Sequence, residues 1–260
     1  MAVSERFQGA NVVDAGRLSP YWGEHAARYR FSLGFVKNGS ALDIACGTGY
    51  GIALLRADAR HVTGVDVDPQ AAAAAREECG ENGGVLLANG LDLPFVDASF
   101  DVITSFETLE HLHERHKFLD ELARVLRPGG TLLLSTPNAN YTKPLNGKPS
   151  NPFHIHEYTP DELRSELEDR FRIDRFLGQM LDPSTGISPF FEAQRRLPKD
   201  VMTQVRLLGW KVFNKIPFAA RESLSEVIWG KPFYPREIDY NFDELTVDVA
   251  PTLLAVCQKV

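Results

Sequence analysis

Cysteine is scarce in this chain: three in 260 residues, at positions 46, 79 and 257. The number is odd, the spacing is wide and no CxxC pair occurs, which argues against a disulfide framework or a zinc ribbon. No apolar run approaches the roughly 18 residues that a membrane helix needs, so no membrane span is expected. The first ten residues, MAVSERFQGA, lack a basic segment leading into an apolar one. That start reads as carrying no secretory signal, and a reducing cytoplasm fits the cysteine usage. Basic charge is also in short supply. Lys and Arg number 28 against 35 Asp and Glu, a formal net charge of −7, and no basic run stands out. Proteins that grip phosphate backbones usually carry a cationic patch, so nucleic acid is not expected as a partner.

Short apolar runs alternating with amphipathic stretches are abundant between residues 40 and 136. This is the pattern of βαβ units on a parallel sheet covered on both faces. Strands are expected at Ala41–Ala45, His61–Val65, Gly84–Ala88, Asp101–Ser105 and Gly130–Ser135. Asp68 followed by Pro69 caps a helix that runs through the alanines to Glu78, ahead of Gly80. Phe118, Leu119, Leu122, Val125 and Leu126 share one helical face, and Arg127-Pro-Gly-Gly130 turns the chain into the next strand. Asn138 to Glu157 reads as a long loop. Thr159-Pro-Asp-Glu162 is a capping box, and Phe171–Leu177 and Thr252–Cys257 read as the last two strands. The expectation is a seven-stranded, doubly wound, Rossmann-like α/β sheet, mostly parallel with a terminal antiparallel strand. Residues 1–38 form an N-terminal helical segment, 39–181 and 250–260 the core, and 182–249 a helical, aromatic lid insertion.

The segment Ala41-Leu-Asp-Ile-Ala-Cys-Gly-Thr-Gly-Tyr-Gly51 carries the most chemistry. Glycines 47, 49 and 51 follow a buried strand, where the absence of a Cβ lets a ligand approach the backbone. Val65-Asp66 ends the second strand with an acid able to accept both ribose hydroxyls of an adenosine cofactor. NAD shares those two features. However, its fingerprint wants Gly or Ala where Ile52 stands, and Asp43 beside the turn suits a cationic amine better than a pyrophosphate.

Leu42 to Gly51 resembles the first motif of class I S-adenosylmethionine-dependent methyltransferases, and further segments follow in that family's order. Val65-Asp66 resembles the ribose-binding acid and Asn89-Gly-Leu-Asp-Leu-Pro-Phe95 the adenine loop. Phe100 to His111 resembles the fourth strand and the turn after it, and Leu122 to Thr136 the helix and fifth strand. The resemblance implies S-adenosyl-L-methionine as cofactor. Asp43 and the backbone from Gly47 through Thr48 to Gly49 would face the methionine part, with Ala45 and Val67 bordering the cofactor. Asp66 would hold the ribose, and Asn89, Gly90 and Leu91 would border the adenine. Phe106 and Glu107 would pass near the sulfonium. Tyr29 would lie over the cofactor carboxylate, or else pack a surface helix.

The acceptor side is less sharply written. His154, in Asn151-Pro-Phe-His-Ile-His-Glu-Tyr-Thr159, has the pKa range of a base for a hydroxyl proton, with Glu157 orienting it. Packing of the following helix is the competing role for His154. His111 is a second candidate base or a turn residue. No metal is expected, since zinc spacing is absent; His154, His156 and Glu157 are only a remote ligand set. Trp210, Trp229, Phe190, Phe191, Phe233 and Tyr234 could stack on an acceptor or pack a core. The leading expectation is methyl transfer to the hydroxyl of a small molecule or sugar or glycan. The rivals are N- or C-methylation of a secondary metabolite and a non-catalytic cofactor-binding protein, and a homodimer is left open.

Overall fold

The computed structural model describes residues 21–144, 147–149, 151–186, 201–213 and 215–260. Helix α1 (Trp22–Val36) leads into β1 (Ser40–Ile44), α2 (Tyr50–Leu55), β2 (His61–Asp66), α3 (Pro69–Glu78) and β3 (Gly83–Leu87). Then come β4 (Phe100–Phe106), α4 (Arg115–Val125), β5 (Leu126–Pro137) and the single turn α5 (Ala139–Thr142). The chain continues through α6 (Pro160–Glu168), β6 (Phe171–Leu181), α7 (Val201–Phe213), α8 (Phe218–Trp229), β7 (Tyr240–Asp243) and β8 (Thr252–Lys259). Among the described residues one sheet holds eight strands in the order β3-β2-β1-β4-β5-β8-β6-β7. Strands β1 to β5 pair in parallel, and β8 is antiparallel to both β5 and β6.

The sheet therefore has eight strands where seven were expected. The eighth, β7, is only Tyr-Asn-Phe-Asp, inside the stretch read as helical insertion. Four residues with alternating burial and two polar side chains give no apolar run to detect, and an edge strand does not need one.

The central strands are apolar because both of their faces are covered. Ala41, Leu42 and Ile44 of β1, Ile103 of β4 and Leu132, Leu133 and Leu134 of β5 are all buried. On one face α4 inserts Phe118, Leu119, Leu122 and Val125, each buried. Asp68 caps α3, its Oδ1 accepting from the amides of Gln70 (2.7 Å) and Ala71 (2.9 Å). Thr159 and Glu162 form the expected capping box on α6. Arg127-Pro-Gly-Gly130, expected as a turn into the strand, instead lies within β5, where the register with β4 shifts between Phe100 and Val102.

The chain divides into two compact units. The first contains Arg28–Met180 and Asn241–Val260, the sheet and its helices; the second contains Leu181–Tyr240 with a segment ending at Ala27. Within the second unit Phe213 stacks on Phe233 (5.0 Å between centroids), and Trp229 packs edge-on against Phe213 at 5.5 Å. The buried Arg221 guanidinium lies 5.1 Å from the rings of both Phe233 and Tyr234. At its base the Asp182 amide donates to the Asp239 carbonyl at 2.8 Å, so the two ends of this excursion meet. Phe190, Phe191 and the side chain of Trp210 lie outside the described residues. No described helix is long and apolar enough to cross a membrane.

Candidate active site

In the strand order the chain direction of winding switches between β1 and β4. Open α/β sheets bind ligands in the crevice beyond the carboxyl ends of strands at such a point. Two residues here hold left-handed backbone without being glycine: Ala45 (φ 56°), just past β1, and Glu107 (φ 51°), just past β4. Such strain collects where a fold holds its chain for a purpose.

The glycine turn is built to be approached. Gly49 (φ 90°) admits no side chain, since a Cβ would lie 2.7 Å from the Ala75 backbone. Gly47 (φ 57°) differs: a Cβ there would meet nothing within 4 Å, so the space over it is open. Beside it the Thr48 hydroxyl is buried without a hydrogen-bond partner. Asp66, buried at the end of β2, accepts from the Gly47 amide (2.9 Å) and the Asp68 amide (2.9 Å). These two bonds hold its carboxylate against the turn. Val67, next along, is exposed.

Asp43 is wholly buried in β1 and accepts from Thr104 Oγ1 (2.7 Å) and the Tyr29 hydroxyl (3.1 and 3.2 Å). Burial pushes its pKa up to about 7, against the lowering effect of the two hydroxyls. Tyr29 is buried and not on a helix surface, and its own pKa is raised by burial and by Asp43. Its ring lies edge-on to Tyr50 (5.3 Å) and Phe106 (5.0 Å), and a Cβ on Gly51 would strike it at 2.2 Å. Phe106 is the last residue of β4, and Glu107 accepts from Ser135 Oγ at 2.7 Å. The buried Arg28 guanidinium is 3.8 Å from Glu107.

Asn89 is exposed, and its Oδ1 accepts from the Leu91 amide at 3.0 Å, which closes a tight turn. Gly90 is obligatory there, because a Cβ would sit 2.9 Å from the Phe118 ring. Leu91 packs on the main core while staying partly exposed.

The acceptor-side residues converge. His154 Nδ1 is 2.7 Å from Glu157 Oε1, and its Nε2 is 2.9 Å from Asn151 Nδ2. Glu157 is buried and also accepts from the Thr142 hydroxyl. The His111 and His154 rings lie edge to face at 4.9 Å. His111 Nδ1 lies 2.9 Å from the Phe153 carbonyl, which only accepts, so Nδ1 is the donor of that bond. His113 is exposed and outside the cluster, while His156 packs against Tyr158 (4.5 Å). Three residues escaped the sequence reading: Thr104, Arg28 and Glu110. Glu110 is fully buried, accepts from Thr136 Oγ1 (3.0 Å), and is held well above the usual carboxylate pKa by burial and by Glu107. Its position directly before His111 was the one available signal.

Residues 42–134 match the family model described as a methyltransferase domain. A Mycobacterium tuberculosis (strain H37Rv) protein named "Probable S-adenosylmethionine-dependent methyltransferase" is 43% identical over 133 residues, 51% of this chain and 48% of that one. An O-methyltransferase of Aspergillus nomiae is 38% identical over 109 residues, covering 40% and 48%. The chain thus spans about half the length of the curated relatives it matches. In fold it resembles a solved complex of the Haloferax volcanii Trm112 methyltransferase activator with a methyltransferase (TM-score 0.62, 21% identity, 99% of this chain and 97% of that one). Residues 42–134 thus resemble a methyltransferase domain, and the Mycobacterium tuberculosis protein they resemble is named as S-adenosylmethionine-dependent.

Proposed function

We propose that this protein transfers the methyl group of S-adenosylmethionine to a hydroxyl oxygen of a small-molecule or sugar or glycan acceptor. The observation that carries the cofactor half is the open space over Gly47 beside the unpartnered, buried Thr48 hydroxyl. A nucleoside with an amino-acid tail fits these residues. Asp66 accepts the ribose hydroxyls, Asp43 faces the ammonium end, and Thr48 and the Gly47–Gly49 backbone hold the carboxylate end. Asn89, Gly90 and Leu91 border the adenine, Phe106 and Glu107 flank the sulfur, and Tyr29 lies over the carboxylate end. Bound there, the cofactor would supply a sulfonium-activated methyl, whose carbon bonds to the acceptor oxygen as the carbon–sulfur bond breaks and a neutral thioether leaves.

The chain's own contribution is alignment, worth up to roughly 7–11 kcal/mol, and withdrawal of the hydroxyl proton. The carboxylate-backed His154 is suited to that withdrawal, because with Nδ1–H donated to Glu157 its Nε2 is the proton acceptor. His111 is the second imidazole at the same edge. The O-methyltransferase among the similar proteins supports oxygen as the acceptor atom. We assign the 182–239 excursion, with its aromatic cluster, to acceptor binding.

The test is release of S-adenosylhomocysteine from labelled cofactor in the presence of a panel of sugars and phenols. His154→Ala should lower kcat by about 10²–10⁴-fold with S-adenosylhomocysteine affinity intact. A variant that keeps full turnover would shift the reading to N- or C-methylation, which needs no strong base. Cofactor binding with no turnover on any acceptor would favour a non-catalytic protein.

A further inference from the structure

The loop after β4 and the loop before α6 are tied by the Glu110 carbonyl, which accepts from the amides of Ile155 (2.7 Å) and His156 (3.2 Å). The tie gathers Glu110, His111 and His154, and one ligand-type atom from each lies within 4.8 Å of the other two. The two Glu110 oxygens are unlike. Oε2 is taken by Thr136, whereas Oε1 is fully buried, has no hydrogen-bond partner and lies 3.9 Å from His111 Nε2. With His111 Nδ1 committed to a carbonyl, Nε2 is the ring nitrogen that a metal would take in the neutral imidazole. His154 Nδ1 is held by the buried Glu157, the arrangement in which a carboxylate orients a metal-binding imidazole.

We propose that Glu110 Oε1, His111 Nε2 and His154 Nε2 bind one divalent transition-metal cation. This ligand set uses Glu110 and His111 in place of the Glu157 and His156 that sequence proximity suggested. Two imidazoles and one carboxylate suit zinc, manganese or iron better than magnesium or calcium, and three ligands leave positions open for an acceptor oxygen. Ligand bonds of ~2.0–2.2 Å require the two partly exposed imidazoles to close in by about an ångström. Asn151, which now donates to His154 Nε2, gives way. A coordinated hydroxyl releases its proton to solvent more readily, and the resulting oxygen attacks the methyl carbon as the carbon–sulfur bond breaks. With the cation present His154 is a ligand, and acidification replaces proton withdrawal by the imidazole. That role rests on the proposed methyl transfer; the binding site itself does not.

The full chain, stripped with chelator, is titrated with Co²⁺ and with Zn²⁺ by calorimetry, and Co²⁺ is also followed by its visible absorption. One ion per chain is expected. Glu110→Gln and His111→Ala should each weaken binding by about tenfold or more, and Glu157→Gln by about 10–100-fold. His113→Ala, an exposed imidazole outside the cluster, should change nothing. No Co²⁺ uptake, or uptake unaltered in both Glu110→Gln and His111→Ala, overturns the proposal. The same samples are titrated with S-adenosylhomocysteine. Its binding without Co²⁺ uptake removes the metal site alone, and Co²⁺ uptake without it removes the methyl-transfer reading alone.

Discussion

At Asp43 two hydroxyl donors and complete burial oppose one another, and burial prevails, raising the pKa to about 7. An acid whose folded pKa lies above its unfolded value stabilises the protein fully below about 3.8, and that contribution is lost as pH rises through about 7. A cationic ligand amine beside it reverses the preference, because it favours the ionised carboxylate. Affinity for S-adenosylhomocysteine should therefore fall about tenfold for each pH unit below about 7 and level off above it. Asp43→Asn should flatten that profile. Calorimetric titrations from about pH 6 to about pH 8 check both, and a flat wild-type profile would take the ammonium away from Asp43. Sequence alone marked Asp43 but could not show what holds it, since Thr104 arrives from a neighbouring strand and Tyr29 from a preceding helix. Gly47, Gly49 and Asp66 were legible because turn geometry and a strand end are local properties.

Among the elements, α6 has its start written most explicitly. Thr159 accepts from the Glu162 amide while Glu162 Oε2 accepts from the Thr159 amide at 2.8 Å. Thr159→Ala should cost about 1 kcal/mol of stability in urea unfolding, with S-adenosylhomocysteine affinity unchanged, because the cap touches neither the glycine turn nor Asp66. A loss of affinity equal to that of a site variant would mean that α6 helps to shape the crevice. The alternation of apolar strands and amphipathic helices from β1 to β5 was readable because each element buries a periodic face of its own. Strand β7 was not, having too few apolar residues to stand out from its surroundings. The histidine cluster was hidden for another reason: Glu110 and His154 lie on two loops far apart in sequence, which hydrogen bonds bring together.

At the scale of the whole chain, β8, the last strand in sequence, lies between β5 and β6 and pairs with both. Replacing residues 183–238 by a short Gly-Ser linker should leave S-adenosylhomocysteine affinity within about threefold and abolish acceptor turnover. A shortened protein that folds and still methylates the same acceptor would remove that excursion from acceptor binding. The linker can be short because the chain leaves and returns at one point, the Asp182 to Asp239 hydrogen bond. For a flexible stretch closed at such a point, each doubling of length costs only ~0.6 kcal/mol in closure entropy. Lineages can thus lengthen, trim or rewrite what lies between those two aspartates while the glycine turn and its acids stay untouched.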